Sequence, residues 1–227
     1  MRQLLPVPLD PVDPVAVYSD LPRADTRPAV RLNMIASVDG ATTVAGVSGG
    51  LGGTADHELF TVLRSLAEVV LVGAGTVRAE GYGPSTVPIA VVSGSCRLDW
   101  ASRFFAAAIA RPIVITVAAA PPEERKRAEE VAEVVIAGER DIDLGAALDA
   151  LASRGFGAVL AEGGPSLSGQ LAAAGLLDEL CLTLSPRLVG GDAKRILAGP
   201  GLGTGRAMRL RSLCEQDGFL FLRLRPA

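Results

Sequence analysis

Short, uninterrupted apolar runs alternate with helical stretches along most of this chain, and that alternation leaves few folds open. Val69-Val70-Leu71-Val72 and Ile113-Val114-Ile115 are apolar on both faces that a strand would present. Such runs suit strands covered by helices on both sides. Strands are expected at 29–38, 69–73, 88–93, 112–117, 133–136 and 157–162, with helices at 54–66, 100–109, 121–131, 144–154 and 166–174 between them. Thr54 stands where it can cap the first of these helices, with Asp56 and Glu58 in the first turns complementing the helix dipole. Joints of a few residues between unlike elements predict an α/β fold, with a mostly parallel central sheet flanked by helices. The end of the chain differs. Residues 178–185 are strand-like, and 208–213 with 218–224 form an antiparallel pair around Glu215-Gln216-Asp217-Gly218. Residues 1–29 carry six prolines and no apolar period, which predicts an extended N-terminal arm before a single domain at 30–227.

Composition narrows the function classes. With 49% apolar and 21% charged residues, the 227-residue chain is neither disordered nor tail-like. A net charge of −3 provides no overall basic field for nucleic acid or an anionic membrane. Cys96, Cys181 and Cys214 match no metal-ligand spacing and fit a reduced, cytoplasmic chain. His57 is the single histidine, which excludes zinc sites built on two or three histidines, and no metal is expected. Prolines interrupt the N-terminus where a signal peptide would need its apolar core, and Arg111-Pro112 breaks the most hydrophobic stretch, 104–120. A soluble protein without a membrane span is therefore expected.

Ligands of open α/β sheets bind beyond the carboxyl ends of parallel strands, and four segments fall at such places. In Asn33-Met34-Ile35-Ala36-Ser37-Val38-Asp39-Gly40, the residues Asn33, Ser37 and Asp39 share one face, a costly polar row unless something uses it. A simple turn at Asp39-Gly40 accounts for part of it. Gly73-Ala74-Gly75-Thr76 opens a buried strand toward a phosphate or a ring, although a tight turn explains the glycines nearly as well. Glu162-Gly163-Gly164-Pro165-Ser166 sets a carboxylate beside a proline-led helix start, which is anion-binding geometry or only a joint. Gly46-Val47-Ser48-Gly49-Gly50 has the spelling of a nucleophile elbow, but no strong strand leads into Ser48 and His57 lies too near for that order. The mixed charges of 123–130 mark a solvated helix face.

Taken in order, these segments resemble the riboflavin-biosynthesis reductase family, the reductase part of a bifunctional deaminase-reductase, whose fold is dihydrofolate reductase-like. The matching pieces are Asn33 with Ser37-Val38-Asp39-Gly40, Asp56 with Leu63-Arg64, and Val72 through Glu80. They continue with Ala161 through Leu167, Leu177-Asp178-Glu179-Leu180, and Ser185 through Gly191. The resemblance implies NADPH-dependent reduction of a ribosylamino-pyrimidine 5′-phosphate, its ribosyl group becoming ribityl. It implies cofactor contacts at Gly73, Gly75, Thr76, Glu80 and Ser93, and at Gly163, Gly164, Pro165, Ser166 and Leu167. Asp56 and Glu162 would be the catalytic carboxyl groups, Asp56 delivering the proton and Glu162 holding the pyrimidine. Asn33, Ser48 and Arg64 would meet the substrate. Homodimerisation is also implied, with Phe219-Leu220-Phe221-Leu222 as interface or core.

Three departures stand out. The zinc motifs of the family's deaminase domain are absent, so a stand-alone reductase is expected. Glu80 stands where many relatives carry aspartate. The loop after Gly81-Tyr82-Gly83-Pro84 is short and lacks the arginines that suit a substrate phosphate. Two other functions remain open: an NADPH-dependent dihydrofolate or pterin reductase, and a catalytically silent NADPH-binding regulator.

Overall fold

The computed structural model describes residues 1–22, 26–199 and 201–227. Ten strands are β1 (Arg2–Leu5), β2 (Ala29–Ser37), β3 (Val69–Gly73), β4 (Ile89–Val92), β5 (Ile113–Thr116), β6 (Glu133–Ile136), β7 (Ala158–Ala161), β8 (Glu179–Ser185), β9 (Met208–Gln216) and β10 (Phe219–Pro226). Helices α1 (Pro14–Tyr18), α2 (Thr54–Ser65), α3 (Ala74–Glu80), α4 (Arg103–Ala106), α5 (Pro122–Val131), α6 (Leu144–Ala152) and α7 (Pro165–Ala173) connect them. All the strands join one sheet in the order β1-β9-β10-β8-β2-β7-β3-β4-β5-β6. From β8 to β6 neighbouring strands are parallel, while β10, β9 and β1 extend the other end antiparallel.

The apolar runs are covered on both faces, as their pattern requires. Val70 and Val72 enter one core with Leu59 and Leu63 of α2, Val77 of α3, and Phe104 and Phe105 of α4. Val69 and Leu71 enter the other with Leu148 and Leu151 of α6 and Leu167 and Leu171 of α7. Alternation along one short strand thus feeds two layers.

Three local expectations are corrected. Gly53, not Thr54, is the N-cap of α2, and no side chain caps it. A Cβ at Gly53 would lie 3.0 Å from the Phe219 ring, so close packing selects the glycine. The helix expected at 100–109 contracts to α4. Asp99 accepts from the Ala101 amide and the Ser102 hydroxyl turns back to the Asp99 carbonyl, which spends the preceding residues on a turn. Finally, the proline-rich N-terminal segment does more than extend. β1 pairs with β9, with Arg2 opposite Glu215, and α1 starts at Pro14 under an Asp13 cap.

The sheet parts at its centre. β7 ends at Ala161, opposite Leu32 of β2 and Leu71 of β3. β2 runs on for five more residues beside β8 alone, roughly 16 Å of strand. The chain leaving β7 leans toward β3: the Glu162 amide donates to Leu71 O at 2.9 Å, and Gly73 donates to Gly163 O at 2.7 Å. The free edge of β2 is left as one lip of a cleft.

Candidate active site

That cleft has a volume of about 1100 Å³. Asn33, Met34 and Ile35 of β2 form its first lip, α2 contributes Asp56, His57, Phe60 and Arg64, and the loop before α2 adds Ser48. Gly73, Gly75, Thr76, Ser93 and Gly164 through Leu167 form the other wall, while Glu162 meets Arg64 and Glu80 meets the Ser48 loop. Of the site residues implied by the family resemblance, all but Gly163 line this one space. Gly163 stands behind the wall at φ 81°, where a Cβ would come within 2.9 Å of Met34 Sδ.

The polar row of β2 divides. Asn33 faces the cleft, but Ser37 and Asp39 are spent internally. The Ser37 hydroxyl donates to Asp39 Oδ1 at 2.5 Å, and the Asp39 carboxylate accepts from the amides of Val189 and Gly190. Those donors, Ser37 first, hold the exposed Asp39 carboxyl at about 2, so it clamps the chain beyond β8 as a fixed anion.

Along α2, Asp56, Phe60 and Arg64 recur every four residues and face the cleft, while Ala55, Leu59 and Leu63 face the core. Burial raises the Asp56 carboxyl above its ordinary range, outweighing a hydrogen bond with Thr183 and the attraction of His57. Glu162, its side chain only 3% exposed, is differently placed. Arg64 Nε donates to Oε1 at 2.7 Å and Arg64 Nη2 to Oε2 at 2.8 Å. The Tyr82 hydroxyl also donates to Oε2, at 2.5 Å. The guanidinium lies 4.4 Å from the Phe60 ring centre and 5.5 Å from that of Tyr82. Burial opposes the Arg64 cation, but Glu162 more than compensates, and Arg64 stays charged. Glu80 is also engaged, its Oε1 accepting from the Ser48 amide at 2.8 Å and tying that loop to the end of α3.

The opposite wall offers donors instead. α7 begins at Gly164 and Pro165 with no side-chain cap, so the amides of Ser166 and Leu167 lack helical partners at a positive helix end. Thr76 packs beside it: a Cβ on Gly164 would lie 2.6 Å from Thr76 Oγ1. A Cβ on Gly75 would meet nothing within 4 Å.

Tyr82, Phe60 and Thr183 escaped the sequence analysis. The four-residue spacing of Asp56, Phe60 and Arg64 held a signal for Phe60. Tyr82 lies in a loop without period, and Thr183 reads as an ordinary residue of a half-buried strand.

Comparison with known proteins agrees with this architecture. Residues 28–218 match the family described as the RibD C-terminal domain, and the chain belongs to that family. It is 32% identical over 189 residues to the 2,5-diamino-6-ribosylamino-4(3H)-pyrimidinone 5′-phosphate reductase of Methanothermobacter thermautotrophicus, covering 78% of this chain and 86% of that one. Among solved structures, a pyrimidine reductase-like protein from Corynebacterium diphtheriae superposes with a TM-score of 0.81 at 28% identity, over 95% of this chain and 99% of that one. A dihydrofolate reductase from Enterococcus faecalis shares the fold, with a TM-score of 0.51 at 14% identity over 87% of this chain and 96% of that one. Among the described residues, no helix is long and apolar enough to cross a membrane.

Proposed function

We propose that this protein is an NADPH-dependent reductase of a ribosylamino-pyrimidinone 5′-phosphate in riboflavin biosynthesis, as the names of its relatives suggest. The observation that carries this reading is the division of one cleft into two unlike walls. Asp56, Asn33 and the Arg64–Glu162 pair occupy one, while the uncapped start of α7 and the bare surface at Gly75 occupy the other. A volume of about 1100 Å³ exceeds the range of roughly 300–1,000 Å³ usual for one ligand, which suits a cofactor and a substrate together.

The residues present fit the dinucleotide. Ser166 and Leu167 would donate their amides to its phosphates, Thr76 and Ser93 would supply hydroxyls, and Gly75 would let a flat ring or ribose approach the backbone. When bound, NADPH supplies the hydride for C1′ of the opened sugar. Asp56 is the group suited to give up the proton, because its carboxyl is already raised and a ligand covering it would raise it further. Glu162, with both oxygens engaged by Arg64 and Tyr82, acts through Arg64 rather than as an acid. Homodimerisation belongs to the proposal on family grounds; Phe219 and Phe221 themselves are buried in the core.

One feature favours a second reading. The 81–88 loop brings no arginine to the cleft, so an unphosphorylated substrate such as a dihydropterin is the alternative. Anaerobic NADPH oxidation, with product mass, separates the two. Ribityl product formed much faster than dihydrofolate is consumed supports the proposal. Turnover of dihydrofolate alone moves the enzyme to folate chemistry, and silence with both sinks the reaction.

A further inference from the structure

Tyr82 lines the cleft and touches Glu162, but the mechanism above gives it no role of its own. It stands in the short loop after α3, its ring edge-on to Phe104 and its hydroxyl on Glu162 Oε2. Burial first, then the Glu162 carboxylate, push its phenol well above the ordinary range, so Tyr82 is a permanent donor and not an acid. Its ring also packs against the Arg64 guanidinium, 5.5 Å from ring centre to Cζ, as does the Phe60 ring at 4.4 Å.

The consequence concerns Arg64. A guanidinium carries five N–H groups in a rigid fork. The pairing with Glu162 uses the hydrogens of Nε and Nη2 that face the carboxylate. The outer Nη1–Nη2 edge is directed away from it. Arg64 is 27% exposed and lines the cleft, so the N–H groups not spent on Glu162 are those left for a ligand. Free arginine side chains have many rotamers, and a bidentate contact is strong only when its plane is set beforehand. Here two rings and a carboxylate set the plane, and the carboxylate is itself held by the phenol.

We propose that Tyr82 is a positioning residue: by donating to Glu162 and packing against Arg64, it holds the outer Arg64 edge as a two-donor seat for a substrate oxygen. That oxygen is an anionic phosphate oxygen or a ring carbonyl, which present the same acceptor chemistry. The proposal rests on the reductase reading and deepens it, since it gives the short loop a function in place of the missing arginines.

The test is steady-state kinetics of Tyr82→Phe, which keeps the ring and removes only the hydroxyl. KM for the pyrimidinone phosphate should rise about tenfold, the loss of one hydrogen bond to a charged group, while kcat changes less than about twofold. The dissociation constant for NADPH should not move. In an Arg64→Lys background, the same substitution should raise KM no further, because Tyr82 acts only through Arg64. Repeating the series with the dephosphorylated substrate identifies the seated oxygen: a penalty confined to the phosphorylated form assigns the phosphate, and an equal penalty assigns the ring. A fall in kcat at constant KM, additivity with Arg64→Lys, or a lower KM would each overturn the proposal, the last by showing a latch that substrate must break. The Arg64 Nε–H resonance in ¹⁵N-labelled protein provides a test independent of turnover. It should be slow to exchange in the wild type and fast in Tyr82→Phe. Unchanged exchange refutes the positioning role, whereas a wild type without pyrimidine turnover refutes the reaction and leaves this comparison standing.

Discussion

If Asp56 is the proton donor proposed above, it carries the sharpest conflict between stability and activity. Its carboxyl is raised in the folded state, chiefly by burial. A raised acid favours folding only while it is protonated in both states, and that contribution is lost as pH climbs from the unfolded value of about 3.9 through the folded one. At pH 7 an ionised Asp56 therefore works against the fold. Asp56→Asn, which retains an acceptor for Thr183, should melt at or above the wild-type temperature at pH 7. That difference should narrow as the pH approaches about 4. Turnover should fall at least about a hundredfold, the scale of a lost general acid, with NADPH binding retained. Melting curves across pH beside single-turnover rates check both halves, and an asparagine variant with normal turnover would remove Asp56 from the chemistry. At this scale the sequence was informative where a residue type is unusual in its place. Asn33 in an apolar strand and Asp56 at a helix start both announce the cleft. The same logic overreached at Ser37 and Asp39, because a polar row can satisfy itself: Asp39 takes up its own neighbour and the amides of Val189 and Gly190. Nothing in the spelling Gly81-Tyr82-Gly83 revealed that Tyr82 would reach Glu162, eighty residues away.

Among the elements, β3–α3 and β7–α7 build the donor wall, and their glycines serve different ends. Gly75 sits inside α3 with an ordinary backbone, and a Cβ there would touch nothing. A helix gains up to about 1 kcal/mol when alanine replaces glycine, so the fold alone does not explain this residue; access to the cleft does. Gly169 of α7 is the reverse case. A Cβ there would fall 2.1 Å from the Ala198 carbonyl oxygen, on a backbone that also donates from Ala198 N to Pro165 O. Gly75→Ala should leave the melting temperature unchanged or higher and weaken NADPH binding. Gly169→Ala should destabilise by about 1–3 kcal/mol, as overpacking does, by forcing the 190–199 segment off α7. Calorimetry with NADPH titration separates the two, and a Gly75→Ala variant that binds NADPH normally would take Gly75 out of the cofactor contact. The strands at 69–73 and 133–136 were legible to the residue because apolar runs bounded by glycine, proline or charge have few alternatives. α4 was not, because apolar content at 100–109 carried no information about the turn held by Asp99 and Ser102.

For the whole molecule, the order of the sheet depends on charges that no local pattern reveals. Glu179, completely buried at the start of β8, accepts from Arg31 of β2 at 2.7 Å, from Arg223 of β10 at 2.7 Å and from Arg225 at 2.9 Å. Asp20 pairs with Arg223 and Arg225, and the carbonyls of Val17 and Tyr18 accept from Arg223 and Arg31, so the N-terminal segment is tied into the same knot. Apart from Arg31 and Tyr18, 13 residues apart, these partners lie 44 to 206 residues apart, which is why residues 1–29 read as an extended arm in the sequence. The knot fixes the register of β2 on β8, and with it Ile35 opposite Thr183, the residue that touches Asp56. Burial pushes the Glu179 carboxyl up, but Arg223 and Arg31 together bring it below its ordinary value. A depressed acid stabilises the fold above its unfolded value, about 4.3, and that contribution disappears as pH falls through the folded value, the opposite sign to Asp56. Glu179→Gln should cost about 3–5 kcal/mol at pH 7, because it strands buried guanidinium charge that, among the described residues, has only the Asp20 carboxylate left to pair with. Urea unfolding at pH 7 and at successively lower pH checks this: the gap between variant and wild type should shrink once the wild-type Glu179 begins to protonate. A variant as stable as the wild type at pH 7 would mean that the arginines reach water or new partners without cost, and that the register of β2 on β8 rests on its backbone ladder alone.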